Sequence, residues 1–181
     1  AGTPTNKSDY TDIVTFSLNS YGNIYIRDII RDKLTLDEKY FKLLEVNNKY
    51  HPLRILYEKV GMQADIYYLR EQMDKYKVHF PIEEYGTTKN KVQKISNMIP
   101  HVRGGIITWP VSCWHRNWQG IVEDMLESTI QFELLAFPTG IHDDVIDAIA
   151  TIVAMNDAKI FEVPSVNGNT LNIGGSNSTN Y

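Results

Sequence analysis

His142-Asp143-Asp144-Val145-Ile146-Asp147-Ala148-Ile149-Ala150-Thr151-Ile152-Val153-Ala154-Met155 is the segment from which the architecture is read. From Val145 onward it is apolar almost all the way round, broken only by Asp147 and Thr151. A helix of that kind lies in the interior, covered on every side. The spacing predicts a helix over 142–159. Asp144 and Asp147 are three residues apart and Asp143 and Asp147 four apart, so the acids share one face of its first two turns. Asp143 and Asp144 suit an N-cap and a first turn, where free amides and the helix dipole stabilise a carboxylate. Asp147 lies past the cap on a buried helix, and an isolated buried carboxylate is costly. It must be protonated, paired with a base or bound to a cation, and the segment alone leaves capping and metal binding both open.

Working outward, the elements needed to cover such a helix are present. Val14, Phe16 and Leu18 alternate with polar Thr15 and Ser17 over Asp12–Leu18, a strand period. Tyr21-Gly22-Asn23 is a turn signal, and Ile24–Ile30 is a second strand, giving an antiparallel hairpin. Leu36, Tyr40, Leu43 and Leu44 predict a helix from Thr35 to Tyr50. Arg54–Tyr57, between Pro52 and Gly61, reads as a short buried strand. Met62, Ile66, Leu69, Met73 and Tyr76 give the cleanest amphipathic helix, to Lys77. A strand over Val78–Tyr85 is interrupted by Pro81, and a short helix over Asn90–Ile99 turns Val92, Ile95 and Ile99 inward. Gly104–Trp109 reads as an edge strand and Gln119–Leu135 as a helix, with a break at Pro138-Thr139-Gly140. The order predicts an α/β domain over 1–163, a mixed sheet flanked by helices, with an Asn-, Ser- and Gly-rich flexible tail over 164–181.

Of the 181 residues, 18 are Lys or Arg and 22 Asp or Glu, for a net charge of −4. That excludes an overall basic nucleic-acid coat and leaves room for an acidic pocket that holds cations. No stretch approaches the roughly 18 uninterrupted apolar residues of a membrane span. The single Cys113 excludes an internal disulfide and a Cys-rich zinc site. Glu58 closes the apolar strand Ile55-Leu56-Tyr57, at the end where α/β sheets bind ligands. It is also the kind of charge that simply meets solvent at a strand end. Carboxylates without a Cys pair select a hard cation, Mg²⁺ or Mn²⁺. Two such ions about 4 Å apart can drive in-line displacement at a phosphodiester. Lys89, Lys91 and Lys94, followed by His101 and Arg103, are the basic residues that would face a polyanion, although a lysine cluster alone is more often a solvated helix face.

Together and in this order, these residues resemble the nuclease domain of the large terminase subunit of tailed bacteriophages. The resemblance runs from about Ser8 to Lys159. It covers Ser8-Asp-Tyr-Thr11 leading into the hairpin with Gly22-Asn-Ile-Tyr25, the strand-end Tyr57-Glu58, and Lys91 and Lys94 ahead of Pro100. Its most specific part is Phe137-Pro-Thr-Gly-Ile-His-Asp-Asp-Val-Ile-Asp-Ala148. It implies an RNase H-like fold and a metal-dependent endonuclease that cuts concatemeric viral DNA during packaging. Carried over residue by residue, it makes Glu58, Asp144 and Asp147 the catalytic acids and metal ligands, with Asp144 favoured. Asp143 is then a cap that can exchange into the ligand set, and Lys89, Lys91, Lys94 and Arg103 are DNA contacts. It further implies two Mg²⁺ or Mn²⁺ ions. The implied partners are double-stranded DNA, the terminase ATPase domain, the small terminase subunit and the portal, in the cytoplasm of an infected bacterial host.

One departure bears on activity. The family opens with a central strand ending in Asp-x-Ala, whereas this sequence opens at Ala1-Gly-Thr-Pro4. Asp9 and Asp12 match the loop and hairpin after that strand, not the ligand. The expectation is therefore an RNase H-like sheet lacking its first central strand: a fragment, a domain completed by another polypeptide, or one that has lost cleavage. No Gly-x-x-x-x-Gly-Lys-Thr motif is present. The alternatives are a catalytically silent domain that docks DNA or the portal, and a resolvase- or ribonuclease H-type nuclease of the same fold. Trp109, Trp114 and Trp118 could stack on bases, but are read first as packing an edge hairpin onto the core. Glu123, Asp124 and Glu127 are read as solvated acids.

Overall fold

A computed structural model describes residues 10–58, 64–86 and 90–157. The 164–181 tail, Lys89 and Asp9 lie outside the described residues. The chain is a mixed α/β protein with small sheets. In order it forms β1 (Thr11–Leu18), β2 (Ile24–Asp32), α1 (Leu36–Tyr50), β3 (Ile55–Glu58), α2 (Ala64–Tyr76), β4 (Ile82–Tyr85) and α3 (Lys91–Arg103). Next come β5 (Ile107–Thr108), β6 (Trp114–Arg116), β7 (Val122–Asp124), α4 (Met125–Ser128), a π-helical segment Thr129–Leu134, and α5 (Asp144–Asp157).

The hairpin β1–β2 is the centre of the molecule, and alternation along β1 explains why. Val14, Phe16 and Leu18 face the cluster built by α3 and α5, with Ile95, Met98, Val145, Ile146, Ile149 and Val153. Ile13, on the other face, meets the cluster of Tyr40, Leu43, Leu69 and Met73 from α1 and α2. The hairpin is therefore covered by helices on both faces, and α5 is as deeply buried as its sequence requires, with Val145, Ile146 and Ile149 fully inaccessible. A bulge between Thr15 and Phe16 shifts the hairpin register, so that Asp12 lies opposite Arg31.

The expected single mixed sheet is divided. β1, β2 and β5 form one sheet, with β5 parallel to the start of β2, while β3 pairs in parallel with β4 and β6 pairs antiparallel with β7. The strand read over 78–85 is confined to Ile82–Tyr85, after Pro81, which has no amide to give. The helix read over 119–135 does not form as such. The Asn117 side chain accepts from the amides of Gln119 and Ile121, and Gly120 takes φ +80°, which turns the chain into β7. Asp124, expected in solvent, caps α4 by accepting from Leu126 N at 3.0 Å and also holds Cys113 N at 2.8 Å. In α3 the inward residues are Lys94, Ile95 and Met98, and Val92 faces solvent. That helix also continues past Pro100 to Arg103.

Candidate functional site: the head of the last helix

The amino end of α5 is built from four elements. Its Ile146 amide is capped by Glu133 of the π-helical segment, whose Oε2 accepts at 3.0 Å. Glu133 is only 2% exposed, and its other oxygen receives a short hydrogen bond from Arg31 Nη1 of β2. The bulged register then brings the Arg31 guanidinium 3.7 Å from Asp12 Oδ1 and 3.5 Å from Asp144 Oδ2. From α3, Lys91 Nζ donates to Asp143 Oδ1 at 2.7 Å and to Asp144 Oδ1 at 2.8 Å. One turn further along, Lys94 Nζ lies 3.0 Å from Asp147 Oδ1 and donates to Thr151 Oγ1 at 3.0 Å.

These contacts divide the acids into two groups. Asp147 and Lys94 form an inner pair, with the lysine 3% exposed. Among the described residues the outer network holds four carboxylates, Asp12, Glu133, Asp143 and Asp144, which share two cations, Arg31 and Lys91. Asp12 is the acid most affected by burial here. Burial pushes its carboxyl up to about 6, Arg31 opposes this, and the charges of Asp144 and Glu133 add to it. Its Oδ1 is buried without a hydrogen-bond partner, since 3.7 Å to Arg31 is too long for one. Asp144 goes the other way. Burial raises its pKa, but the Lys91 hydrogen bond and the charges of Lys91, Arg31 and His142 outweigh this and hold it below the usual carboxylate range. Burial lowers the pKa of Lys91, and its two carboxylate partners more than reverse that.

A cavity of about 240 Å³ opens beside the guanidinium, lined among others by Tyr10, Arg31, Phe132, Glu133 and His142. Arg31 sits 4.7 Å over the Tyr10 ring, and His142 meets the same ring edge-on at 6.2 Å.

Of the residues singled out in the sequence, Asp143, Asp144, Asp147, Lys91 and Lys94 are thus gathered along one α3–α5 seam. Glu58 is exposed at the end of β3 and takes no part in the ion pairs of this network. Asp143, expected to cap α5, turns its side chain to Lys91, and Glu133 caps in its place. Lys94 is buried against α5, so its ammonium does not face a polyanion from the surface. Arg103 is exposed at the end of α3. Asp12, Arg31 and Glu133 are the residues that sequence reasoning did not place in the site. The tryptophans separate: Trp109 packs on the core, Trp114 is exposed, and Trp118 gives its amide to Asp32, which also holds His115 Nε2 at 3.0 Å.

Among the described residues, no three His, Cys, Asp or Glu side chains stand together as a ready metal site. The donor chemistry nevertheless suits a hard divalent ion. The outer donors are all carboxylate oxygens, one of them buried without a partner, and the network has more acids than bases. One oxygen of each of Asp143 and Asp144, the Oδ1, is held by Lys91.

No family model and no curated protein matches the chain. Among solved structures it is similar to the crystal structure of the large terminase nuclease from thermophilic phage G20c with bound cobalt. The two are 16% identical over 85% of this chain and 88% of that chain, with a TM-score of 0.43. No described helix is long and apolar enough to cross a membrane.

Proposed function

We propose that this chain is a DNA endonuclease domain of the large-terminase type, acting at the head of α5 on concatemeric viral DNA during packaging in the infected bacterial host. The observation that carries the reading is where the most specific motif falls. The acids of Phe137–Ala148 lie at the amino end of a buried helix, against the hairpin, in a network whose Arg31 and Glu133 line a cavity next to them. Carboxylates crowded around shared cations are costly unless a ligand uses them. Asp143 and Asp144 would hold Mg²⁺ or Mn²⁺, with Glu58 as the further acid the resemblance implies. When bound, such ions supply Lewis acidity at the phosphate and an activated water. The chain's own contribution is positional: Glu133 fixes both the start of α5 and Arg31, whose charge stands 3.5 Å from Asp144. Asp147 is left to Lys94. Lys89 and Arg103 are the basic residues that remain for the DNA backbone. The terminase ATPase domain, small subunit and portal are the partners this reading carries with it.

Incubation of supercoiled plasmid with the protein and Mn²⁺ tests it. Nicking by the parent, lost in Asp144→Ala and in Glu58→Ala, is expected. Equal nicking by the parent and both variants overturns the assignment.

A second reading has one observation in its favour: every acid of the α5 head has a basic partner within the protein. A domain so compensated can dock DNA or the portal without cutting. It predicts DNA retention in gel shifts with no nicking at any Mn²⁺ concentration.

A further inference from the structure

Two cations serve the outer acids, and they differ in kind. Arg31 is 11% exposed, is anchored by buried Glu133, and lies over Tyr10. It is a fixed part of the fold. Lys91 is 37% exposed at the first position of α3, on a flexible four-carbon stem, and its partners Asp143 and Asp144 are 37% and 51% exposed. A solvent-facing ion pair of this type is held by little net free energy. Its two acceptor oxygens, Asp143 Oδ1 and Asp144 Oδ1, belong to neighbouring residues at a helix start. Those oxygens are the donors a hard cation would use.

We infer that Lys91 is an exchangeable internal counter-ion: its ammonium occupies Asp143 and Asp144 in the resting protein, and a divalent cation binds there in competition with it. This rests on the nuclease reading for the identity of the ligand and deepens it by naming what regulates the site. Lys91 is a positioning residue in this role. With the site empty it keeps two adjacent carboxylates ionised, close together and aimed the same way. It leaves when the stronger cation arrives, and Arg31 remains.

Mn²⁺ titration followed by calorimetry and by thermal melting tests this without any turnover. The probe is free Mn²⁺ and the proteins are the full chain, Lys91→Met, Lys91→Arg and Asp144→Asn. Removing the competing ammonium releases only what the exposed pair contributes, so Lys91→Met is expected to bind Mn²⁺ about threefold more tightly. Without Mn²⁺ the same variant melts lower than the parent, because Asp143 and Asp144 then repel, and it gains more on adding the ion. Lys91→Arg keeps the charge and stays near the parent, and Asp144→Asn loses binding in every background.

Equal or weaker Mn²⁺ affinity in Lys91→Met, with Asp144→Asn still abolishing binding, overturns the counter-ion role and leaves the nuclease reading intact. That gain in affinity together with absent plasmid nicking keeps the role and removes the nuclease reading. No Mn²⁺ binding at millimolar concentration in any of the four proteins overturns both.

Discussion

Replacing Lys94 by Met asks whether Asp147 is held by the fold or reserved for a ligand. Met has nearly the length of the lysine stem, so contacts with α5 survive and only the ammonium is lost. The lysine side chain is 3% exposed and Asp147 15%, and Nζ is shared between Asp147 and Thr151. Breaking a buried pair by removing one partner costs about 3–5 kcal/mol, since the remaining charge is stranded. Asp147 retains slight access to water, so the low end applies, about 3 kcal/mol. For a protein of this length that is a fall in Tm of roughly 6–12 °C.

The double variant Lys94→Met/Asp147→Leu removes both charges. It should recover most of the loss, to within about 1 kcal/mol of the parent. Urea denaturation of the four proteins yields the coupling energy directly. A cost below about 1 kcal/mol for Lys94→Met, or a double variant as unstable as the sum of the singles, refutes the inner pair. Repeating the melts with Mn²⁺ separates structure from ligand binding. If Mn²⁺ restores Lys94→Met, Asp147 is a metal ligand after all.

Three further outcomes are expected. Asp12 has a folded pKa near 6 against 3.8 unfolded, so the folded state binds the extra proton, and stability falls as pH rises between those values. Asp12→Asn should flatten that slope in pH-dependent urea melts and stabilise the protein at pH 7 by at most roughly 3 kcal/mol, less whatever Arg31 loses. Gly140→Ala would place its Cβ 2.9 Å from the Phe132 carbonyl and 3.3 Å from Ala136 Cβ, so the turn into α5 must shift. A cost of about 1–3 kcal/mol, read as a lowered Tm, is expected. Thr35→Ala removes the capping box in which Thr35 and Glu38 satisfy each other's amides at the start of α1. It should cost about 1 kcal/mol by the same measurement.

What could be read from the sequence was whatever depends on neighbours in the chain. The 3.6-residue period gave α1, α2 and α5 because each buries one stripe, or in α5 nearly the whole circumference. The alternation of Val14, Phe16 and Leu18 gave β1. What escaped depends on register and on distant partners. An unbulged hairpin closing at Leu18 and Ile24 would set Asp12 opposite Ile30, and the extra residue at the bulge sets it opposite Arg31 instead. Nothing local marks that shift, so Arg31 and Asp12 were not visible as site residues. Glu133 was hidden for a related reason. Its partners, Arg31 and Ile146 N, lie 102 and 13 residues away, and the segment around it read as a plain helix instead of a π-helical turn. Lys94 was misread because helix periodicity treats lysine as an outward residue. Asp147 draws it inward, and Val92 takes the solvent side.

The two lysines of α3 bring out a distinction that the acid motif alone conceals. Lys91 and Lys94 are three residues apart, one helical step, and face Asp143/Asp144 and Asp147 on the neighbouring helix like successive teeth. The chemistry is the same at both levels, but the dielectric is not. A buried carboxylate cannot release its ammonium without being stranded, at a cost of several kcal/mol. An exposed one exchanges partners at almost no cost. Depth along the seam therefore decides which acids can serve a ligand. On the proposed reading Asp147 fixes the depth and rotation of α5 and Glu133 its start, while Asp143 and Asp144 are the described acids of the seam whose lysine is exposed enough to trade for an external cation. Three aspartates in two turns of one helix are thus not equivalent: the innermost is paired in the interior, and the outer two meet a lysine that solvent reaches.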